Sequence, residues 1–165
     1  MQGNRARYER LLAELRDQAA AISSLREPHR RAQSRIDAGA RDELDWAALG
    51  YTIHNIYNAI EAYCLLIAKF FENELDAGTW HRDLLRRMSL DIAGVRPRLL
   101  ERELAERLDD LRAFRHVFRN VYGKSLDPER VRLVQSRVEP VLDDFLSAHE
   151  AFVQKLRTIL EALKE

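Results

Sequence analysis

Apolar residues return along most of this chain at intervals of three and four, the repeat of an α-helix with one buried face. The spacing predicts about five helices. The first spans roughly Arg5 to Arg35, with Leu11, Leu12, Leu15, Ala19 and Ile22 on one face and an interruption near Pro28, whose ring cannot continue the hydrogen-bond ladder. Its arginine-rich tail, REPHRRAQSR, reads as a solvated face. The second, Asp42 to Leu75, is long and amphipathic and stops at Asp76-Ala77-Gly78. The third is the short stretch TWHRDLLRRMS, with Thr79 as its N-cap. A fourth runs from Pro97, whose fixed φ suits a first helical turn, to about Tyr122, where Gly123 supplies the cap. Asp127 and Pro128 restart the chain into a fifth, bent at Pro140. There is no alternating strand pattern, internal repeat or low-complexity segment. The expected fold is therefore all-α, an antiparallel bundle of about five helices. It reads as one domain over 1–165, with the N-terminal helix of 1–41 peripheral to a motif-bearing bundle at 42–165.

Composition narrows the function more than the fold. The 165 residues are 33% charged yet carry a formal net charge of zero, so any affinity for phosphate has to come from a local cluster and not from bulk electrostatics. A single cysteine, Cys64, lies in an apolar run and reads as a small buried hydrophobe. The opening MQGNRARYERLL lacks the apolar core of a signal peptide, and no apolar run reaches the ~18 residues of a membrane span. A soluble, cytoplasmic protein without a membrane partner is expected. There is no E-x-x-H pair, no H-E-x-x-H and no glycine-rich phosphate loop, so neither a metal nor a cofactor is expected.

The candidate chemistry lies on two polar arcs. At about 100° per residue, Arg115, His116, Arg119, Asn120 and Tyr122 all fall within about 80° of Arg112 on the fourth helix, opposite Phe114, Val117, Phe118 and Val121. A merely wet face is usually filled by Lys and Glu in i,i+4 pairs. This one has no acid after Asp110, and arginine's planar fork suits phosphate. On the second helix Tyr51, Tyr57, Asn58 and Glu61 lie within about 60° of His54. Phe114, Phe118, Trp80 and the Phe70-Phe71 pair come from several elements, more than a small core readily buries, which predicts a homodimer.

The strings HNIYNAIE, GTWHRDLLRRM, VRPRLL and FRHVFRNVYGKSLD, in this order, resemble the HEPN superfamily and within it the HepT-like ribonuclease toxins. That group carries R-x4-H-x-Y near a helix end. The corresponding residues here are Arg115, Asn120 and Tyr122, so the pattern is R-x4-N-x-Y and the histidine is replaced. The resemblance implies a HEPN-like bundle and a metal-independent endoribonuclease. It would act on RNA as a homodimer with the two motifs facing across a cleft, by attack of a ribose 2′-OH on the adjacent phosphate. It also implies a nucleotidyltransferase (MNT-like) antitoxin that transfers adenylate to the tyrosine, here Tyr122. Arg115 and Arg119 would stabilise charge on the phosphorus. Asn120 cannot transfer a proton, because an amide does not titrate near neutrality. His116, about 40° away on the same arc, is the candidate substitute, with Arg112, His54, Asn58 and Glu61 supporting the cleft. The alternative is a catalytically silent HEPN module that binds RNA or a nucleotidyltransferase partner.

Overall fold

The computed structural model describes residues 2–72, 80–120 and 125–162. Its helices are α1 (Gln2–Ser24), α2 (Arg26–Asp37), α3 (Glu43–Phe71), α4 (Trp80–Met88), α5 (Arg102–Arg119), α6 (Pro128–Gln135) and α7 (Val138–Ala162). Among the described residues there is no strand, only an isolated antiparallel bridge between Ile92 and Arg96. No described helix is long and apolar enough to cross a membrane. Thr79, Tyr122, Gly123 and the side chain of Trp80 lie outside the described residues.

The first and fifth expected helices are each broken in two, and both breaks have one cause. Pro28 and Pro140 each stand at the third residue of the later segment, α2 and α7. A proline ring collides with the carbonyl four residues earlier, so the ladder fails at Ser24-Leu25 and Ser136-Arg137, not at the prolines themselves. In the first turn the missing N–H costs nothing, because helix-start N–H groups have no intrahelical acceptor. Pro97 departs further from expectation. It precedes α5 by a stretch of non-helical chain in which Leu99 and Leu100 are buried and both donate their backbone N–H to the Met88 carbonyl, at 2.9 and 3.0 Å.

The long α3 is the centre of the bundle. Asp42 caps it by accepting from the Asp45 amide at 2.9 Å, and Ile53, Ile56, Ile60, Tyr63, Cys64 and Ile67 are wholly buried along it. Burial, then nearby Glu61, pushes the Cys64 thiol up to about 12, which leaves it an inert hydrophobe. α1 packs along α7 and α3, and its Leu11, Leu12, Leu15, Ala19 and Ile22 belong to the same apolar cluster as the core of α5. The 1–41 segment read as peripheral thus supplies part of the central core. Phe70, Phe71, Phe114 and Phe118 are also accommodated within one chain. Phe114 is 2% exposed, and half-buried Phe70 and Phe71 meet the Tyr8 ring edge-on at 5.1 and 6.1 Å. The crowding argument for a dimer therefore fails for these side chains.

The REPHRRAQSR tail is not simply solvated. Arg26 pairs with Glu139 and Asp143 and Arg30 with Glu139, tying α2 to α7, while Ala32 and Ile36 enter the core. His29 is fully buried among them. Thr52 donates its hydroxyl to the Leu49 carbonyl at 2.7 Å, so its oxygen accepts from His29 Nδ1–H at 2.9 Å. That leaves His29 Nε2 bare and buried without a partner. Burial pulls the imidazole down to about 4, against the pull of Glu139. Between pH 6.5 and 4 the unfolded chain binds a proton that the folded one refuses, so stability falls as pH drops through that window. The loss from His29 alone should be about 3 kcal/mol. Urea unfolding at pH 7 and pH 4.5 should show it, and His29→Asn should flatten the dependence. An unchanged acid loss in that variant would remove His29 as its source.

Candidate functional site

α5 buries Leu104, Leu108, Leu111 and Phe114, which fixes where its polar arc points. Arg115 turns inward to α3. Its Nε donates to Asn58 Oδ1 at 2.6 Å, its Nη2 lies 3.5 Å from Glu61 Oε1, and its guanidinium sits over the Tyr57 ring at 5.9 Å. The Arg115 side chain is 16% exposed and that of Glu61 8%, so this is a nearly buried ion pair. Removing either partner would strand much of the other's charge.

Asn58 carries the consequence one residue further. Arg115 can only donate, so the Asn58 oxygen faces it and the Asn58 Nδ2 is turned to His54 Nε2, 2.8 Å away. His54 Nε2 must then accept, which places the imidazole proton on Nδ1. That atom is buried without a partner. Burial, then Arg115 and Arg119, lowers the pKa of His54 and keeps it neutral. One nitrogen is occupied by Asn58 and the other is sealed off, so His54 orients Asn58 and Arg115 and has no nitrogen open to substrate. Its ring also packs on Phe118 at 5.3 Å.

His116, Arg119 and Asn120 face outward. Asn120 caps α5 and donates Nδ2 to the His116 carbonyl at 2.7 Å, with His116 Nε2 at 3.5 Å from the same nitrogen. Both residues line a hollow of about 410 Å³ whose floor is Phe114, Val117, Leu126 and Val131. His116 and Asn120 stand about 100° and 140° around the helix from Arg115, which is why packing separates them. The arc is continuous in sequence but divided in space: Arg115 joins His54, Asn58 and Glu61 on α3, and His116 joins Asn120 toward α6. Arg119 makes no ion pair among the described residues. Arg112 is held by Asp109 at 2.5 Å beside a groove between α4 and α5. Tyr122, the expected modification site, lies outside the described residues.

Two positions were missed by pattern reading. A Cβ on Gly50 would lie 2.9 Å from Leu126 Cδ1 and 3.1 Å from Phe118 Cε2, so this glycine is the gap that lets both side chains seat on α3. A glycine inside a long amphipathic helix was the available signal. Arg96 is the other. Its side chain is wholly buried and donates to Glu72 Oε1 from Nε at 2.8 Å and Nη2 at 2.6 Å, and to the carbonyls of Arg87 and Leu90 at 2.7 and 3.1 Å. Among the described residues no cluster of three or more His, Cys, Asp or Glu side chains is placed to hold a metal ion.

An all-helical bundle with an arginine anchored against α3 and an exposed histidine–asparagine pair at the end of the same helix defines the class to which the motifs pointed. A family model described as HepT-like protein matches residues 48–156, and the chain belongs to this HepT-like family of the HEPN superfamily. No curated protein and no solved structure matches the chain.

Proposed function

We infer that the chain is the toxin component of a HepT-like pair, a homodimeric endoribonuclease in which His116 moves the proton that Asn120 cannot. The observation that carries this reading is the placement of His116: exposed, at the helix end, and within 3.5 Å of the Asn120 amide at the motif position. Cleavage by a 2′-OH requires a group to accept its proton, a group to protonate the leaving oxygen, and cations against the charge building on phosphorus. One His116 from each protomer supplies the two proton-transfer groups. Arg119, exposed and without an ion pair among the described residues, is the cation offered to the phosphate. Arg115 supplies fixed positive potential from beneath, oriented by Asn58 and Glu61. A nucleotidyltransferase antitoxin would silence the protein by attaching adenylate to Tyr122, setting phosphate where RNA phosphate should bind.

One observation favours a second reading, a silent module that binds RNA or the transferase without chemistry. Arg115, the motif arginine, is largely buried and turns its Nε and Nη2 to Asn58 and Glu61 rather than outward. The two readings separate in a cleavage assay with purified protein and single-stranded RNA in EDTA, next to growth after expression of the chain alone. Cleavage and arrest, both weakened in Arg119→Ala, support the enzyme. RNA binding with neither effect supports the module.

A further inference from the structure

The hollow beneath His116 and Asn120 has more structure than a proton-transfer pair needs. Its floor is apolar: Phe114 is 2% and Val131 1% exposed, with half-buried Val117 and Leu126 beside them. Its rim carries His116, Asn120, Ser125, Asp127 and Arg130. Internal bonds account for only part of their capacity. Asn120 uses its Nδ2 on the His116 carbonyl, and its carbonyl oxygen accepts from none of the described residues. Asp127 accepts from the Glu129 amide through Oδ1 at 3.0 Å, which leaves Oδ2 open. Arg130 is exposed and makes no ion pair among the described residues.

We propose that this hollow is a subsite for one unpaired base of single-stranded RNA, with Arg130 holding the phosphate next to it. The proposal rests on the RNA-directed reading above and extends it to a binding position and a residue outside the motif. A flat heteroaromatic ring with polar edges and an adjoining anion matches an apolar floor with acceptors on one side and, on the other, an exposed guanidinium that makes no ion pair among the described residues. At about 410 Å³ the space falls within the roughly 300–1,000 Å³ of small-ligand sites and suits one nucleotide rather than a longer stretch. A base inside a duplex cannot enter it, because sequence-reading of RNA works on bases splayed out of the stack.

The test is fluorescence anisotropy with a labelled single-stranded RNA and with the same strand annealed to its complement. Wild-type protein, Ser125→Trp and Arg130→Ala are compared, with thermal unfolding to show that each variant is folded. Ser125 is exposed on the rim, so tryptophan there should plug the hollow without disturbing the core. Ser125→Trp is expected to weaken single-strand binding at least ~10-fold, the scale of one lost base stack, and to leave duplex binding unchanged. Arg130→Ala should reduce the slope of log affinity against log salt by about 0.7, one phosphate contact on a single strand. A wild-type protein that binds no single-stranded RNA would sink this proposal together with the RNA-directed reading. Wild-type binding that Ser125→Trp leaves intact would overturn the subsite alone.

Discussion

Arg96→Ala is expected to destabilise the fold by about 3–5 kcal/mol, the usual cost of breaking a buried ion pair from one side. The guanidinium is 0% exposed and the Glu72 side chain 13%, so water cannot take over the lost contacts. Two further acceptors, the Arg87 and Leu90 carbonyls, would also lose their donor. Glu72 retains Arg87 at 3.2 Å, which keeps the loss within that range and not above it. Arg96→Lys should recover only part, because an ammonium cannot span the carboxylate and two carbonyls with a planar fork. Arg96→Met, which keeps bulk but no donor, separates packing from pairing. Guanidinium unfolding of the three variants measures all of this, and a loss below ~1 kcal/mol in Arg96→Ala would show that the buried network is not a support of the fold. Arg96 pins the chain between α4 and α5, so a partly folded variant should also displace α5.

Arg96 also shows where pattern reading ends. The helices were legible because apolar periodicity reports a buried face: α3 buries Ile53, Ile56, Ile60, Tyr63 and Ile67 and α5 buries Phe114 as the spacing indicated, but Tyr57 and Glu61, read on the polar stripe of α3, are buried as well. An arginine outside a helix gives no such signal: Arg96 stands just before the helix start expected at Pro97, and its burial depends on Glu72, distant in sequence and brought near by α3. The same limit hid His29 inside an arginine-rich run, since its acceptor Thr52 lies on another helix. Proline marks a break in sequence, but the ring acts on the carbonyl four residues earlier, so both bends fell N-terminal to Pro28 and Pro140. The polar arc of α5 was visible as a set of residues. Its division was not, because a single helix does not reveal that α3 receives Arg115 while α6 approaches His116 and Asn120.

On the proposed ribonuclease reading, His116→Ala is expected to lower the rate of RNA cleavage by ~10²–10⁴-fold, the usual contribution of a positioned acid–base group. Asn120→Ala should cost far less, since the amide moves no proton and its Nδ2 is spent on the His116 carbonyl. The informative variant combines the two positions. His116→Ala with Asn120→His restores an imidazole to the rim of the same hollow, four residues further along the helix and about 40° around it. Both side chains are exposed, and Asn120→His gives up one cap bond, the one to the His116 carbonyl, so the exchange should be tolerated structurally. If the proton is exchanged at this hollow, the double variant should recover at least ~10-fold in kcat over His116→Ala, without binding RNA more tightly than that variant does. Recovery in kcat with unchanged affinity is what distinguishes proton transfer from a binding role. Cleavage by His116→Ala at the wild-type rate would end the assignment of His116. Loss in His116→Ala accompanied by an equal loss of RNA affinity would make His116 a binding residue and return the chain to the silent module favoured by the buried Arg115.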